Sequence, residues 1–594
     1  MANIMQELRL RNKPKRSGFD LTKSIKMTAK VGEATPCGMW FTIPDDNHNF
    51  QLSSLTRTVN VNTAAFARMR EYYDYYFVPF EVLWSNWGSV ITQMKDNVQH
   101  AMGLYYDDNE TLSLNLPYIT CESVARYITK LSGSLTKNYN FFQFKRSLLT
   151  VKLLSYLGYP DFSPYLDPKI TWDNQPMALN RRLSVFPLLA YQKIYFDHIR
   201  FQQWEKANPS CYNIDYIKGT DDLEINILDD KFMNDYNFLD MRYFNYNKDL
   251  YFGLLPSPQF GDSSTVNVNS FSSPYSFNVS SGSVSDGQVV KISKSGDDYF
   301  LKTDTGYFSP LHLTSPDNGF SILQLRQAEA LQRWKEVSQS IDMDYKSQIE
   351  AHFGISVSDY LGHKSTWLNG FYGSLDIHPV VNQNLTADNG ADLKGYGTIG
   401  TNGGFSFNSK DRYGIIMCLY HVTPIFDYCC GNTDPMCYVS HATDFPLPEF
   451  DQIGMEAVYS GDLCNFSADD EGERGQVYTW AKKDTLLGYA PRYIRWKTDI
   501  DVALGGFANK EKSWVLPFDW KALSDAISPN VRPDLPKPPL GDGLTYHFFK
   551  INPRVVDTVF SVSAQDGYDS DHFRVSMTHT HSVTRSLDYN GIPY

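Results

Sequence analysis

The stretch Arg70–Trp87, REYYDYYFVPFEVLWSNW, decides the fold. It crowds Tyr72, Tyr73, Tyr75, Tyr76, Phe77, Phe80, Trp84 and Trp87 into one short run. Aromatic residues suit a pleated, half-buried surface, so Arg68–Val78 is expected to be a strand. Its aromatics fall on both faces, with Asp74 as the polar interruption, so both faces are expected to be covered. Pro79 has no N–H for a ladder and ends the strand. Beyond it Leu83, Trp87, Val90, Met94, Val98 and Met102 recur at helical spacing, which predicts a helix over Val82–Met102. A strand covered on both faces belongs between two other layers of a large, mainly β protein.

Composition agrees with that class. The chain has 594 residues, 42% of them hydrophobic, enough for a sizeable core. Aromatics reach 15%, with 39 Tyr and 37 Phe. Tyrosine joins a large apolar area to a polar tip, which suits surfaces buried against other subunits. Net charge is −13, so the chain as a whole is no polyanion coat. The charge is uneven, however. Arg9, Arg11, Lys13, Lys15, Arg16, Lys23, Lys26 and Lys30 precede residue 31, against only Glu7 and Asp20. Residues 1–35 therefore read as a basic amino-terminal arm, with Arg9, Arg11, Lys13, Lys15 and Arg16 as candidate nucleic-acid contacts. A plain polar tail is the alternative.

No run of 18 apolar residues predicts a membrane span, and no apolar segment follows the basic start as in a signal peptide. The 8 cysteines form no CxxC pair and are expected to be reduced thiols of a cytosolic product. Cys429, Cys430, Cys437 and His441 lack the spacing of a zinc site.

Along the chain, short strands are expected within residues 37–66. A helical segment at Val151–Leu157 ends at Gly158. Phe186–Trp204 reads as a helix with Pro187 in its first turn. Residues 262–319 turn abruptly to Ser, Gly, Asn and Asp. They are expected to form a surface protrusion, with a hairpin around Ser295-Gly296-Asp297. A long helical period follows through Leu323, Leu331, Trp334 and Ile341. A second helix begins near Asp344 and stops at Gly354. Residues 364–410 are rich in glycine and asparagine. Strand-like runs then fall at Tyr413–Val422, Leu487–Trp496, Trp514–Leu516, Tyr546–Ile551, Val555–Val562 and Phe573–Ser576. Many strands and long loops predict a β-sandwich with helical insertions, as one domain over residues 36–594.

Chemistry-bearing motifs are weak. Gly395–Gly400 fits GxGxxG, but polar DNGADLK precedes it and TNGGFSFNS follows, so the strand and helix of a dinucleotide site are missing. His579 and His581 share one face of a strand, the spacing of some metal-binding sandwiches. His572 or Asp571 is close enough in sequence to be a third ligand. No Glu follows at a suggestive spacing, however, and the segment lies near the carboxyl terminus, so a polar face of a terminal strand is the plainer reading. Asp566, Asp569 and Asp571 lack the EF-hand order. No GxSxG, HExxH or P-loop occurs. No catalytic residue, metal or cofactor is expected.

A set of segments resembles one family along nearly the whole chain. These are the Tyr-rich strand into VPFEVLW, FPLLAYQKIYFDHIR, LLPSPQFGD, LRQAEALQRWKEVSQSIDMDYKSQIEAHFGI, DRYGIIMCLYHVTPIFDY, LPEFDQIGMEAV, LGYAPRYIRWKTDIDVALGGF and WVLP. Their order and number are similar to the major capsid proteins of the Microviridae, in the gokushovirus-like and gut-phage branches. Met343-Asp344-Tyr345 stands where gokushoviruses have Gly-Gly-x-Arg-Tyr, and the chain ends LDYNGIPY. Both departures look more like phages of gut Bacteroidetes. The resemblance implies an eight-stranded viral jelly-roll β-sandwich with long loop and helical insertions, and no enzyme activity. It implies a T=1 icosahedral homo-oligomeric shell around circular single-stranded DNA, working with other phage structural proteins and a host surface receptor. Such a protein is made and assembled in the bacterial cytoplasm and ends in the virion. The competing class is a carbohydrate-binding or metal-dependent β-sandwich.

Overall fold

The computed structural model describes residues 14–62, 66–92, 116–133, 141–166, 181–217, 223–264, 291–295, 298–303, 306–310, 322–360, 362–380, 394–429, 434–463, 486–518, 544–556, 559–560 and 571–589. The chain divides into two compact units, Met1–Pro258 with Asp342–Tyr594, and Gln259–Ile341.

Among the described residues, two large sheets of the first unit use ten strands. They are β1 (Ser17–Asp20), β2 (Lys23–Ala29), β3 (Thr35–Thr42), β4 (Asn47–Thr58), β5 (Arg68–Pro79), β6 (Thr366–Ser374), β7 (Asp376–Val380), β8 (Lys394–Asn408), β9 (Gly414–Ile425) and β10 (Phe573–Arg585). One sheet runs β1–β10–β4–β8–β7, with β2 also paired to β10. The other runs β6–β5–β9–β3. Every pairing in both is antiparallel.

Sequence pattern explains which sheet is buried twice. In β4 inward Phe50 and Leu52 alternate with outward Gln51 and Ser53, so one face meets core and the other water. β9, GIIMCLYHVTPI, is mostly apolar and buried along nearly its whole length. Its Ile416, Cys418 and Tyr420 enter the space between the sheets. Its Ile415, Met417 and Leu419 enter a second core. That core is completed by helices α1 (Cys121–Gly133), α2 (Phe141–Tyr156) and α3 (Phe186–Ile194). The layers are therefore helices, four-stranded sheet, six-stranded sheet. The Tyr-rich strand β5 lies in the middle layer, as expected, and Tyr73, Tyr75 and Phe77 are buried. Trp40 packs edge-on against Phe50 at 4.9 Å, and Tyr75 edge-on against Phe405 at 4.9 Å, joining the sheets.

Several expected elements differ. The helix over Val82–Met102 is broken. Helical turns occupy Phe80–Leu83 and Trp87–Thr92, while Trp84 takes extended backbone between them. The break lets both Trp84 and Trp87 point into the helical core, against Phe186. Residues 93–102 lie outside the described residues. The helix from Phe186 gives way to a π-turn at Tyr195–Ile199 and stops at Arg200, which is extended. The Arg200 side chain donates back to the carbonyls of Phe196 and Glu205 at 2.7 and 2.8 Å. Residues 17–29 of the expected arm are strands β1 and β2. The glycine- and asparagine-rich stretch 364–410 contains β6, β7 and β8. Tyr546–Phe549 and Pro553–Val556 are 3-10 turns, and Lys512–Trp514 is another. The expected strand at Phe573 runs on to Arg585. Helix α2 is longer than expected, with Gly158 just past it at φ 81°.

The second unit holds a three-stranded antiparallel sheet, Lys291–Ser295, Asp298–Thr303 and Gly306–Pro310. Its first hairpin pairs Ser295 with Asp298, around the turn expected from the sequence. Helix α4 (Ile322–Ser340) completes it, wider than the expected 262–319. Phe260 N–H donates to the Lys335 carbonyl at 3.2 Å.

Helix α5 (Tyr345–Phe353), in the first unit, has its expected ends. Asp344 caps the Ser347 N–H at 2.9 Å, and Gly354 closes it in the left-handed region. Among the described residues no helix is long and apolar enough to cross a membrane.

Candidate nucleic-acid and assembly interfaces

Arg9, Arg11 and Lys13 lie outside the described residues. Lys15 and Arg16 lie just before β1. Lys15 Nζ is 3.7 Å from a carboxylate oxygen of Asp588. The Arg16 guanidinium donates to the side chain and the carbonyl of Asp45. Both pairs are partly exposed, where an ion pair contributes about 0–1 kcal/mol. The two cations are thus anchored to the sandwich at its β1 edge.

Among the described residues, the other sequence candidates do not assemble into a site. Gly395–Gly400 is the first half of β8, with no helix after it. His579 and His581 do share one face of a strand, but it is the buried face rather than a polar one. His581 Nε2 is 2.9 Å from Nδ1 of His48, and His579 Nδ1 is 2.9 Å from the Tyr75 hydroxyl. Burial, with each other's charge and Arg585 adding to it, lowers His48 to about 3. Burial, then Arg585 and Lys23, lowers His581 to about 4. Both rings are therefore neutral at pH 7 and act as hydrogen-bonding spacers between the sheets. Beside them Glu71 is fully buried. Burial raises its carboxyl, while hydroxyl donors from Thr401 and Thr56, each at 2.6 Å, hold it down. Asp571 pairs with Lys152 at 2.9 Å instead of facing other carboxylates. Cys429 and Cys437 are free thiols, and Cys430 lies outside the described residues. Among the described residues no three His, Cys, Asp or Glu side chains gather as a metal cluster.

The surface carries more apolar area than a lone subunit needs. Phe353 is 70% exposed, Leu504 76% and Ile453 60%. Met343, Tyr345, Ile355 and Tyr360 flank Phe353, and α5 buries none of its residues. The periodicity of Tyr345, Ile349 and Phe353 reads as a core-facing stripe, yet that stripe meets no core in the single chain. In the second unit, helix α4 likewise exposes Ile322, Leu323, Leu325, Leu331 and Trp334. Patches of this kind mark surfaces meant for another protein. The sequence reading missed those around Ile453 and Leu504. Their signal is apolar residues inside segments rich in Pro, Gly and Asp, which read as ordinary loops.

A β-sandwich carrying long insertions, with its polar centre sealed and its apolar patches outside, is a structural subunit built to pack against others. Residues 171–529 match the family model described as "Capsid protein (F protein)". The chain is also similar to the "Capsid protein VP1" of Chlamydia phage 1. The two are 21% identical over 547 residues, covering 81% of this chain and 83% of the relative. The chain belongs to the F-type capsid protein family and is a major capsid protein of a small single-stranded DNA phage of the Microviridae. As such it forms a homo-oligomeric shell and resides in the virion.

Proposed function

We propose that the sandwich is an eight-stranded viral jelly roll, and that sixty-fold copies of it close as a T=1 shell around circular single-stranded DNA. One observation carries the jelly-roll reading: the strand pairs are nested. Innermost, β5 pairs with β6; outside it β4 pairs with β8, β3 with β9, and β2 with β10. A ribbon folded on itself and then rolled gives that order, with β1 and β7 added at the edges. The exposed apolar patches supply the contacts that a closed assembly needs. The basic residues Arg9, Arg11, Lys13, Lys15 and Arg16 reach phosphate from the β1 edge. Residues 262–319 project outward and meet the host receptor. Other phage structural proteins join the shell, and assembly takes place in the bacterial cytoplasm.

Size-exclusion chromatography with electron microscopy of the recombinant full chain tests this. Closed shells or pentamer-sized oligomers are expected. A strictly monomeric protein at high concentration overturns the reading and favours a solitary binding sandwich.

A further inference from the structure

Strands β2, β4, β8 and β10 contain no Asp or Glu, in a chain of net charge −13. They lie side by side in the six-stranded sheet. Their outward residues are mostly hydroxyls, amides and cations. Across one row Ser53 faces Thr578 on β10 and Asn402 on β8. The next rows add Gln51 beside Thr580 and Asn49 beside Ser582. Near one end Arg57 of β4 stands directly opposite Arg574 of β10, and both are exposed. Lys26 of β2 pairs with Ser576 one row away.

Like charges placed directly opposite each other on neighbouring strands are destabilising. A carboxylate between them would relieve the pair, and these strands supply none. Among the described residues the acids closest on this sheet are Asp571, Asp376 and Asp20. Asp571 accepts from Thr28 opposite Arg574 and pairs with Lys152, so its carboxylate is already engaged. Asp376 lies in the row of Arg57 beyond Thr398, and Asp20 lies on β1 beside Ser582. Among the described residues no ion pair joins Arg57 or Arg574 to any of the three. An anion from outside the chain relieves the pair instead. A protein partner fits poorly, because the buried centre of a protein interface is aromatic and apolar. Here the exposed apolar side chains are Leu55 and Tyr396. Hydroxyls, amides, arginines and an occasional aromatic ring are the groups that hold a sugar-phosphate chain without reading its sequence.

We infer that the outer face of the six-stranded sheet, centred on Arg57 and Arg574, is a binding surface for single-stranded nucleic acid. This rests on the reading of the chain as a genome-enclosing subunit, and it turns that sheet toward the genome. The face is continuous with the β1 edge, so arm and sheet act on the same strand of phosphates. Counterions released from those phosphates make the contact salt-sensitive.

The test uses the full chain and a fluorescein-labelled thirty-nucleotide oligothymidylate, titrated over a range of salt. The double variant Arg57→Gln/Arg574→Gln is compared with wild type and with Arg70→Gln, which removes an exposed cation from β5 in the other sheet. The double variant is expected to bind several-fold more weakly, with a salt slope shallower by about 1–2. Its melting temperature without oligonucleotide is expected to equal or exceed that of wild type, because the like-charge pair is gone. Arg70→Gln is expected to match wild type in both readings. Unchanged affinity and salt slope in the double variant overturn the inference. So does lost shell assembly with unchanged oligonucleotide binding, which makes the face a subunit contact. If wild type forms no shells at all, the capsid assembly reading fails separately, since the titration reads this face on dispersed protein.

Discussion

The Tyr75 hydroxyl and the His579 ring nitrogen Nδ1 meet at 2.9 Å in the middle of the sandwich, one from each sheet. The bond ties β5 to β10, strands almost the whole chain apart. Trp40 packs edge-on to His579 at 5.0 Å and stacks near Tyr75 at 6.2 Å. Tyr75→Phe keeps the ring and strands the histidine, so a loss of about 1–3 kcal/mol is expected. Tyr75→Ala also opens a cavity among Phe50, Phe371 and Phe405, and about 3–5 kcal/mol is expected. Urea denaturation of dispersed subunits measures both. Equal losses for the two variants would show that the hydroxyl alone matters and that the ring does not pack.

The buried histidines make stability depend on pH. His48 and His581 hold folded-state values of about 3 and about 4, against an ordinary 6.5. A base lowered on folding binds its proton more readily when unfolded. Its neutral-state stability is complete above about pH 6.5 and is lost as pH falls toward 4, by at most about 1.4 kcal/mol per pH unit for each ring. His421, stacked at 3.5 Å on Phe244 and lowered by burial to about 3, acts in the same sense. Glu71 and Asp74, raised by burial, act in the opposite sense as pH falls toward 4. The difference between proteins therefore isolates the pair. His48→Gln/His581→Gln is expected to show a flatter loss of stability between pH 6.5 and 4 than wild type. Parallel profiles would mean that the pair does not titrate on unfolding.

How far the sequence revealed this fold depends on the kind of residue. β5 and β9 were legible because their aromatic and β-branched side chains fill cores on both sides. The ends of α5 were legible because Asp344 and Gly354 carry local signals. β6 and β8 were not, because glycine is poor strand material on its own. Their glycines answer a tertiary demand: a Cβ on Gly403 would lie 2.1 Å from the Phe371 ring, and one on Gly373 would lie 2.6 Å from Ile399. The arm's cations were visible as local charge. The Arg57–Arg574 pair was invisible, since only the strand register brings two such distant residues together.

That same packing gives a further expectation. Gly403→Ala drives a methyl into the aromatic ring of β6, which is confined by Phe405 and Tyr75. Overpacking of this kind costs about 1–3 kcal/mol. Gly400→Ala, on the same strand with open space around its Cβ position, is expected to cost less than about 1 kcal/mol. Thermal melting of the two variants checks the contrast, and equal losses would assign the effect to backbone freedom rather than to Phe371.

The helical layer holds a buried charge pair whose removal is expected to be severe. Arg146 of α2 donates from Nη2 to Asp240 Oδ2 at 2.7 Å and to the Asp235 carbonyl at 2.7 Å. Both charged groups are almost wholly buried. Asp240→Ala leaves the guanidinium without its counter-charge inside the core, and also frees the Asn237 N–H that Asp240 accepts at 2.8 Å. A loss of about 3–5 kcal/mol is expected. Soluble yield and urea midpoints of Asp240→Ala against Asp240→Asn measure it, the asparagine retaining part of the hydrogen bonding. If both variants match wild type, the pair contributes no net stability.

The last expectation concerns residues 265–320. The second unit, Gln259–Ile341, has its own three-stranded sheet and helix. Among the described residues, none between Leu255 and Leu368 belongs to the core of the sandwich or to that of its helical layer. Removing a segment whose described residues fill neither core is expected to leave both intact. Replacing residues 265–320 with a short Gly-Ser linker, keeping α4, is therefore expected to preserve subunit folding and shell formation, seen by electron microscopy. If the segment is the outward protrusion that meets the receptor, adsorption of the resulting particles to host cells should fall by at least tenfold. Shells that no longer form would instead make it a clamp between neighbouring subunits. Shells that form and adsorb normally would remove it from both roles.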